Sequence, residues 1–194
     1  MNIAIIKYSA GNVYSVKTAL NRMNIEPVVT DNPEKIKSAD KVIFPGVGEA
    51  STAMEYLKNK NLDELIPELN QPFLGICLGL QLMCDYSEEN NTQGLEIFPV
   101  EVKYFKTALK VPHMGWNNFN NLDGELFDGI NETNYVYFVH SYYAELSDYT
   151  IAETQYGETK FSAALHKNNY FATQFHPEKS GPIGEKIFAN FIQL

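Results

Sequence analysis

Continuous apolar runs that alternate with helix-type segments restrict the fold of this chain more than any other feature. The runs are too short for buried helices and read NIAIIKY (2–8), PVVT (27–30), KVIFP (41–45) and PFLGIC (72–77). The segments between them have helical character: Val13, Val16, Leu20 and Met23 after the turn SAGN (9–12), DNPEKI (31–36), and Ala50, Ala53, Met54 and Leu57. Such an alternation is typical of a parallel sheet covered by helices on both faces.

The alternation ends near residue 98, and strand-type segments then follow one another without helices. They are PVEVKYF (99–105), NYVYFVHSYYAE (134–145), TIAETQYG (150–157), FSAALH (161–166) and YFATQFH (170–176), and we expect them to be antiparallel or mixed. The last segment, GPIGEKIFANFIQL (181–194), predicts a helix with an apolar face of Ile187, Phe188 and Phe191. Without repeats or linkers, residues 1–194 are predicted to form one α/β domain, its central sheet mostly parallel and flanked by helices, with an added antiparallel part.

The charge and the cysteine content exclude several classes of protein. The formal net charge is −9, which disfavours a sequence-independent grip on nucleic acid or on anionic lipid. The first residues lack the basic leader and the length of a signal peptide or membrane span, so we expect a cytoplasmic protein. Two cysteines, Cys77 and Cys84, make no disulfide framework and are expected to be thiols.

The first of these cysteines lies between glycines, directly after an apolar run, in the segment GICLG (75–79). This is the form of a nucleophile elbow, G-x-S-x-G, with cysteine in place of serine and with the strand and helix that the motif requires. The helix that begins at Leu78 would place its positive end beside the sulfur and favour the thiolate. A small buried residue at a tight junction is the alternative for Cys77, and it is the preferred interpretation for Cys84.

A cysteine nucleophile needs a histidine as acid and base, and a third group that orients it. Only QFHPEKS (174–180) supplies both, because His176 and Glu178 would project to the same side of an extended chain. We interpret His113, His140 and His166 as structural or ligand-shaping, since none has an acid in register. The scattered histidines and the absence of C-x-x-C spacing predict no metal site.

The segment FPGVGEA (44–50) forms a glycine-rich turn after the third predicted strand, at the edge where Cys77 is expected. Backbone N–H groups of Val47 and Leu78 are candidates for binding an oxyanion formed by attack of the cysteine. The Gly46–Val47 peptide is free to turn its N–H toward or away from that oxyanion. The turn lacks the phosphate-loop and dinucleotide fingerprints, so we expect no nucleotide cofactor.

The segments FPGVG, GICLGLQLM and HPEKS occur in an order that resembles the class I glutamine amidotransferases, and the resemblance covers nearly the whole chain. It implies a flavodoxin-like architecture, Cys77 as the nucleophile, His176 as the general acid and base, and Glu178 as the residue that orients it. No cofactor is implied. The glutamine substrate would be bound by Gln81, Glu89, Ser141 and Tyr142, with Glu88 as an alternative to Glu89.

Within the family, NIAIIKYSAGNVYSVKTAL, VPHMGWN and FVHSYY resemble glutaminase subunits of histidine biosynthesis. The resemblance implies that ammonia is passed to a (β/α)₈-barrel cyclase subunit, which makes imidazole glycerol phosphate and an aminoimidazole carboxamide ribotide. Asn12, Trp116 and Lys179 would lie at the interface of this heterodimer. Trp116 also fits that role as the only tryptophan, in a loop-like segment.

Other interpretations of the motifs are open at this point. A paralogous pair that aminates a surface sugar would share nearly every motif, whereas the glutaminase of pyridoxal phosphate synthase is disfavoured by PGVG and HMGWN. A non-catalytic regulatory subunit would keep the fold without turnover. A thiol hydrolase or peptidase that acts alone would use the same elbow.

Overall fold

The computed structural model describes residues 1–8 and 12–194; most of the predicted turn SAGN lies outside these residues. An eight-stranded sheet forms the centre, with the order β2–β1–β3–β4–β14–β13–β12–β9. Its first five strands are parallel, and they are β2 (Val28–Thr30), β1 (Ile3–Ile6), β3 (Lys41–Gly46), β4 (Phe73–Cys77) and β14 (Tyr170–Thr173). The last three are antiparallel, and they are β13 (Thr159–Lys167), β12 (Thr150–Tyr156) and β9 (Asn121–Leu122). The mixed α/β architecture predicted from the sequence is confirmed.

Helices cover both faces of the parallel strands. The helices are α1 (Val13–Arg22), α2 (Pro33–Lys37), α3 (Ala50–Asn59), α4 (Leu62–Leu65), α5 (Leu78–Met83) and α6 (Gly181–Gln193). Alternate residues of β1 point into two hydrophobic clusters: Ala4 and Ile6 pack with α2 to α5, and Ile3 and Ile5 pack with α1 and α6. The predicted apolar faces of α3 and α6 are buried in these clusters. This two-sided burial explains why residues 3–6, 42–46 and 73–77 are continuously apolar.

Two smaller sheets stand beside the central one. A four-stranded sheet has the order β11–β7–β5–β6, built from β11 (Tyr142–Ala144), β7 (Phe98–Tyr104), β5 (Cys84–Ser87) and β6 (Thr92–Gln93). A ribbon pairs β10 (Tyr135–His140) with β8 (His113–Asn118). The segment 134–145 is therefore not one strand: it breaks at Ser141, and its two halves join different sheets.

The position of β14 explains how distant segments come together. This strand pairs parallel to β4, with Ile76 opposite Thr173, although the segments before it along the chain are antiparallel. On the other side of β4, Cys77 lies opposite Gly46 of β3. Because parallel strands end at the same edge of a sheet, residues 46–48, 77–78 and 174–178 meet there. No helix in the described part of the chain is long and apolar enough to cross a membrane.

Glu49 caps α3 where the chain leaves this edge. Its carboxylate accepts hydrogen bonds from the N–H groups of Ser51 and Thr52 at 2.8 and 2.9 Å. Burial opposes its charge, but these bonds and those from the two hydroxyls lower the pKa of Glu49 to about 2. We expect Glu49→Ala to lower the free energy of unfolding in urea by about 1 kcal/mol. Glu55→Ala, at an exposed position of the same helix, is the control and should change it by less than about 0.5 kcal/mol.

Candidate active site

Cys77 occupies the tight turn between β4 and α5. Its backbone has φ 55° and ψ −106°, a conformation that side chains rarely adopt. A Cβ atom at Gly79 would lie 2.1 Å from the carbonyl oxygen of Phe44, and one at Gly75 would lie 2.5 Å from the sulfur of Met83. Close packing of α5 against the sheet therefore requires glycine at position 79, whereas a side chain at position 75 would displace the end of Met83. The strand–turn–helix predicted for GICLG is present, and it aims Cys77 at the carboxyl edge.

His176 and Glu178 form a buried pair beside this turn. The Nδ1 atom of His176 lies 2.8 Å from Oε1 of Glu178, and the same oxygen accepts a hydrogen bond of 2.9 Å from the side chain of Asn12. The predicted contact is present and His176 is extended as predicted, but the extended chain does not continue to Glu178, since residues 177–179 form a 3-10 turn. Pro177 begins that turn, which brings the carboxylate back to the ring.

The surroundings of His176 favour its charged form. Burial alone would lower its pKa, but the neighbouring Cys77 sulfur and the Glu178 carboxylate more than offset that effect and raise it. Its Nε2 atom is buried and has no hydrogen-bond partner among the described residues. With Nδ1 held by Glu178, Nε2 is the nitrogen left to exchange a proton at the sulfur.

Three backbone groups border Cys77 on the side of β3. Val47 and Leu78 line the same cavity as Cys77, whereas Gly46 is buried beneath them. A Cβ at Gly46 would lie 2.6 Å from Cβ of Leu78 and 2.6 Å from the hydroxyl of Tyr8, so this turn also needs glycine. The Tyr8 hydroxyl is buried and finds no hydrogen-bond partner within residues 1–8 and 12–194. Burial and the Cys77 sulfur raise the pKa of Tyr8, so it remains a neutral donor.

The predicted substrate residues share one cavity of about 320 Å³ with the cysteine. Its lining includes Gln81, Glu89, Ser141 and Tyr142. Glu89 accepts a hydrogen bond of 2.8 Å from the N–H of Ala50, and burial raises its pKa. Glu88 instead faces another surface, where it accepts the N–H of Tyr104. Glu89 is therefore the acid of this cavity, and Glu88 is not.

Two polar residues near the cysteine were not among the sequence candidates. Gln174 is fully buried, and its Nε2 lies 3.7 Å from Sγ of Cys77. Tyr8 follows β1, and its hydroxyl lies beside Gly46, the last residue of β3. A sequence signal existed for Gln174 alone, because a glutamine between Thr173 and Phe175 interrupts an apolar strand segment two residues before His176.

The remaining histidines and the second cysteine have structural positions. His113 and His140 are buried in an aromatic cluster, with Nδ1 of the first 3.0 Å from Nε2 of the second. Burial lowers their pKa values to about 4 and about 3, so both rings are neutral at pH 7. His166, on β13, stacks on Phe171 of β14. Burial raises the pKa of Cys84. Both cysteines are free thiols.

The three predicted interface residues lie around the 3-10 turn of residues 177–179. Lys179 is exposed, and its Nζ lies over the ring of Tyr137, 5.8 Å from the ring centre. Trp116 packs against the same ring in a T-shaped arrangement, with the two ring centres 6.0 Å apart. Trp116 is 55% exposed, but it lies on strand β8, so the prediction of a loop was wrong. Asn12 is half-buried, and its side-chain amide donates to Glu178. Over residues 1–8 and 12–194 there is no cluster of three or more His, Cys, Asp or Glu that could hold a metal ion.

Comparisons with known proteins identify the family of this chain. The imidazole glycerol phosphate synthase subunit HisH of Bacteroides fragilis is 57% identical, and that of Bacteroides thetaiotaomicron is 55% identical, each over all of both chains. A crystal structure of a glutamine amidotransferase superposes with a TM-score of 0.77 at 16% identity, covering 98% of this chain and 97% of the other, which bears on the fold. The family model of class-I glutamine amidotransferases matches residues 4–194. The chain belongs to this family and, within it, to the HisH subunits of imidazole glycerol phosphate synthase.

Proposed function

We propose that this chain hydrolyses glutamine to glutamate and ammonia with Cys77 as the nucleophile, His176 as the general acid and base, and Glu178 as its orienter. The observation that carries the proposal is the buried His176–Glu178 pair beside a cysteine held in a strained turn at the end of the cavity. Glu178 holds Nδ1 of His176 at 2.8 Å, Nε2 is left without a partner among the described residues, and all three side chains are buried. This is the arrangement that acyl transfer through a thiolate requires.

The chemistry follows from the protonation states around the sulfur. The Cys77 thiolate attacks the side-chain carbonyl carbon of glutamine, and negative charge develops on the carbonyl oxygen beside Val47 and Leu78. The charged His176 gives its proton to the leaving nitrogen, so that ammonia departs and a glutamyl thioester remains. Water, deprotonated by His176, then attacks the thioester, and glutamate leaves while the thiolate is restored.

Recognition of glutamine is assigned to the far side of the cavity. The Nε2 group of Gln81 donates to the carbonyl of Tyr142 at 2.9 Å and to Oε1 of Gln174 at 3.1 Å. Both amide hydrogens are therefore used, and the carbonyl oxygen of Gln81 is left to accept from the substrate ammonium. Glu89 supplies a negative charge for that ammonium, and the backbone at Ser141 and Tyr142 suits the substrate carboxylate.

The ammonia needs an acceptor, since ammonia released to bulk water is protonated and lost as a nucleophile. We propose a (β/α)₈-barrel cyclase subunit as the partner, in the synthesis of imidazole glycerol phosphate and an aminoimidazole carboxamide ribotide. The relatives' name, a subunit of imidazole glycerol phosphate synthase, supports this assignment over a sugar pathway. Trp116, Lys179 and Asn12 are proposed to contact the partner, and the bond from Asn12 to Glu178 would make the triad sensitive to it.

The partner is also proposed to switch the activity on through the Gly46–Val47 peptide. The test is steady-state glutamine hydrolysis by the wild type and by Cys77→Ala, each alone and with the cyclase subunit and its ribotide ligand. We expect turnover only in the wild-type complex with ligand. Full activity of the isolated chain would reject the switch. A folded, cyclase-bound and silent wild type would reject the catalytic assignment in favour of a non-catalytic subunit.

A further inference from the structure

A chain of hydrogen bonds with a fixed direction reaches Cys77 through the interior. It passes through the carbonyl oxygen of Tyr142, which accepts from Gln81 at 2.9 Å and from Nδ1 of His140 at 2.7 Å. A carbonyl oxygen is an acceptor only, so the group of Gln81 that faces it must be the NH₂ group. This one backbone oxygen therefore fixes which group donates and which accepts in every hydrogen bond of the chain.

The Tyr142 carbonyl also fixes the donor and acceptor nitrogens of the two histidines beyond it, His140 and His113. His140 donates through Nδ1 to the carbonyl, and because the neutral ring has one N–H, its Nε2 must accept. The atom that faces it at 3.0 Å is Nδ1 of His113, which is then the donor. The Nε2 of His113 is left to accept from the amide of Asn117 at 3.4 Å. Each ring thus has one allowed tautomer, and the Tyr142 carbonyl is held in place.

The two glutamines, Gln81 and Gln174, are oriented in the same way, and this determines which group of Gln174 faces the sulfur. The second hydrogen on Nε2 of Gln81 points at the side chain of Gln174, 3.1 Å away, which must present its oxygen there. The NH₂ group of Gln174 is then turned toward Cys77, with Nε2 3.7 Å from Sγ. Gln174 is fully buried and cannot exchange this contact for water. An N–H aimed at sulfur favours the thiolate, because that form is the stronger acceptor.

We propose that Gln174 is a further catalytic residue, which donates an amide N–H to the Cys77 thiolate and so raises the fraction of reactive sulfur. The inference rests on the proposed role of Cys77 as the nucleophile. The competing contact is the carbonyl oxygen of Val139, 3.8 Å from Sγ, which suits the neutral thiol as donor. Gln174 thus stabilises one protonation state of the sulfur and Val139 the other. The same N–H also stabilises the thiolate when it leaves the thioester.

The substitutions used in the test leave the other charged or titratable groups around the sulfur in place. They are His176 after β14, Tyr8 after β1, His140 at the end of β10 and Glu89 across the cavity. The variant Gln174→Glu keeps the acceptor for Gln81 and replaces only the N–H toward the sulfur by a carboxylate oxygen. Gln193→Glu adds the same charge at an exposed position of α6 and serves as the matched control.

The measurement is the rate of alkylation of Cys77 by iodoacetamide as a function of pH, with the modified cysteine located by mass spectrometry of its peptide. We expect the midpoint of the pH profile to rise by about one unit in Gln174→Glu, and alkylation below the midpoint to slow about tenfold. Gln193→Glu should follow the wild type. Gln174→Met, which removes both hydrogen bonds without adding charge, should shift the midpoint in the same direction by a smaller amount.

The outcomes separate this inference from the proposed function. Cys84 is fully buried and serves as an unreactive internal reference. If Cys77 reacts no faster than Cys84, and glutamine hydrolysis survives in Cys77→Ala, the proposed function itself is wrong. If Cys77 reacts fast and is required for hydrolysis, but both folded Gln174 variants keep the wild-type midpoint, only the role of Gln174 is overturned.

Discussion

Replacing His176 by asparagine is expected to lower glutamine hydrolysis in the activated complex by a factor of about 10⁴ or more. The asparagine NH₂ can keep the hydrogen bond to Glu178 that Nδ1 of His176 makes at 2.8 Å, so the buried carboxylate stays paired. What is lost is Nε2, the nitrogen that we propose exchanges a proton with the sulfur and with the leaving group. Alanine would remove both functions and leave Glu178 without its ring partner.

The measurement is kcat/KM for glutamine in the wild-type and variant complexes, with His166→Asn as the control. His166 lies on β13, where it stacks on Phe171 away from the cavity, so its variant should retain activity. Alkylation of Cys77 in His176→Asn should also become slower near neutral pH, because the cation that favours the thiolate is absent. A folded His176→Asn complex that hydrolyses glutamine within tenfold of the wild-type rate would contradict the assignment.

Replacing Gly79 by alanine is expected to destabilise the protein by at least about 3 kcal/mol, since overpacking against a rigid backbone is among the costlier substitutions. The new Cβ would lie 2.1 Å from the carbonyl oxygen of Phe44, and the obstacle is main chain of the central sheet rather than a movable side chain. Relief requires α5 to move away from β3. That movement would separate Leu78 from Val47, so activity should fall together with stability.

The experiment compares urea unfolding of Gly79→Ala with that of Gly181→Ala. The control residue has φ 57°, and a Cβ added there would meet no atom within 4 Å, so its cost is conformational and about 1–2 kcal/mol. We expect the Gly79 variant to unfold at lower urea than the control. Equal stabilities would show that α5 is free to shift, and the strained elbow would not depend on close packing.

The parallel half of the fold was accessible from sequence because its signals are local. Strands β1 and β4 and residues 42–46 of β3 are continuously apolar, and GICLG contains its own turn. The pairing of β14 with β4 carries no such signal, since it depends on segments about a hundred positions apart. The break at Ser141 was missed for the same reason: the residues before and after it have equal strand propensity and differ only in the sheet that they join.

The same contrast between local and long-range signals applies to the candidate active site. The residue types at 77, 176 and 178 indicated acyl chemistry, and the family resemblance indicated the cavity residues. The conformation of residues 177–179 was not accessible, because a proline after His176 is compatible both with an extended chain and with the 3-10 turn observed. The contact of Gln174 with the sulfur was equally hidden, because it depends on which way the Tyr142 carbonyl points.

The register between β4 and β14 makes the spacing of Cys77 and His176 independent of the length of the chain that joins the two strands. Ile76 is paired with Thr173, so the nucleophile and the segment with its acid–base partner take their spacing from two adjacent strands. The length of chain between those strands does not enter that spacing. Exposed loop tips away from the cavity can therefore change in length without altering the spacing of Cys77 and His176. Under the proposed function, a different ammonia acceptor would require new residues on the exposed face and no new spacing of Cys77 and His176.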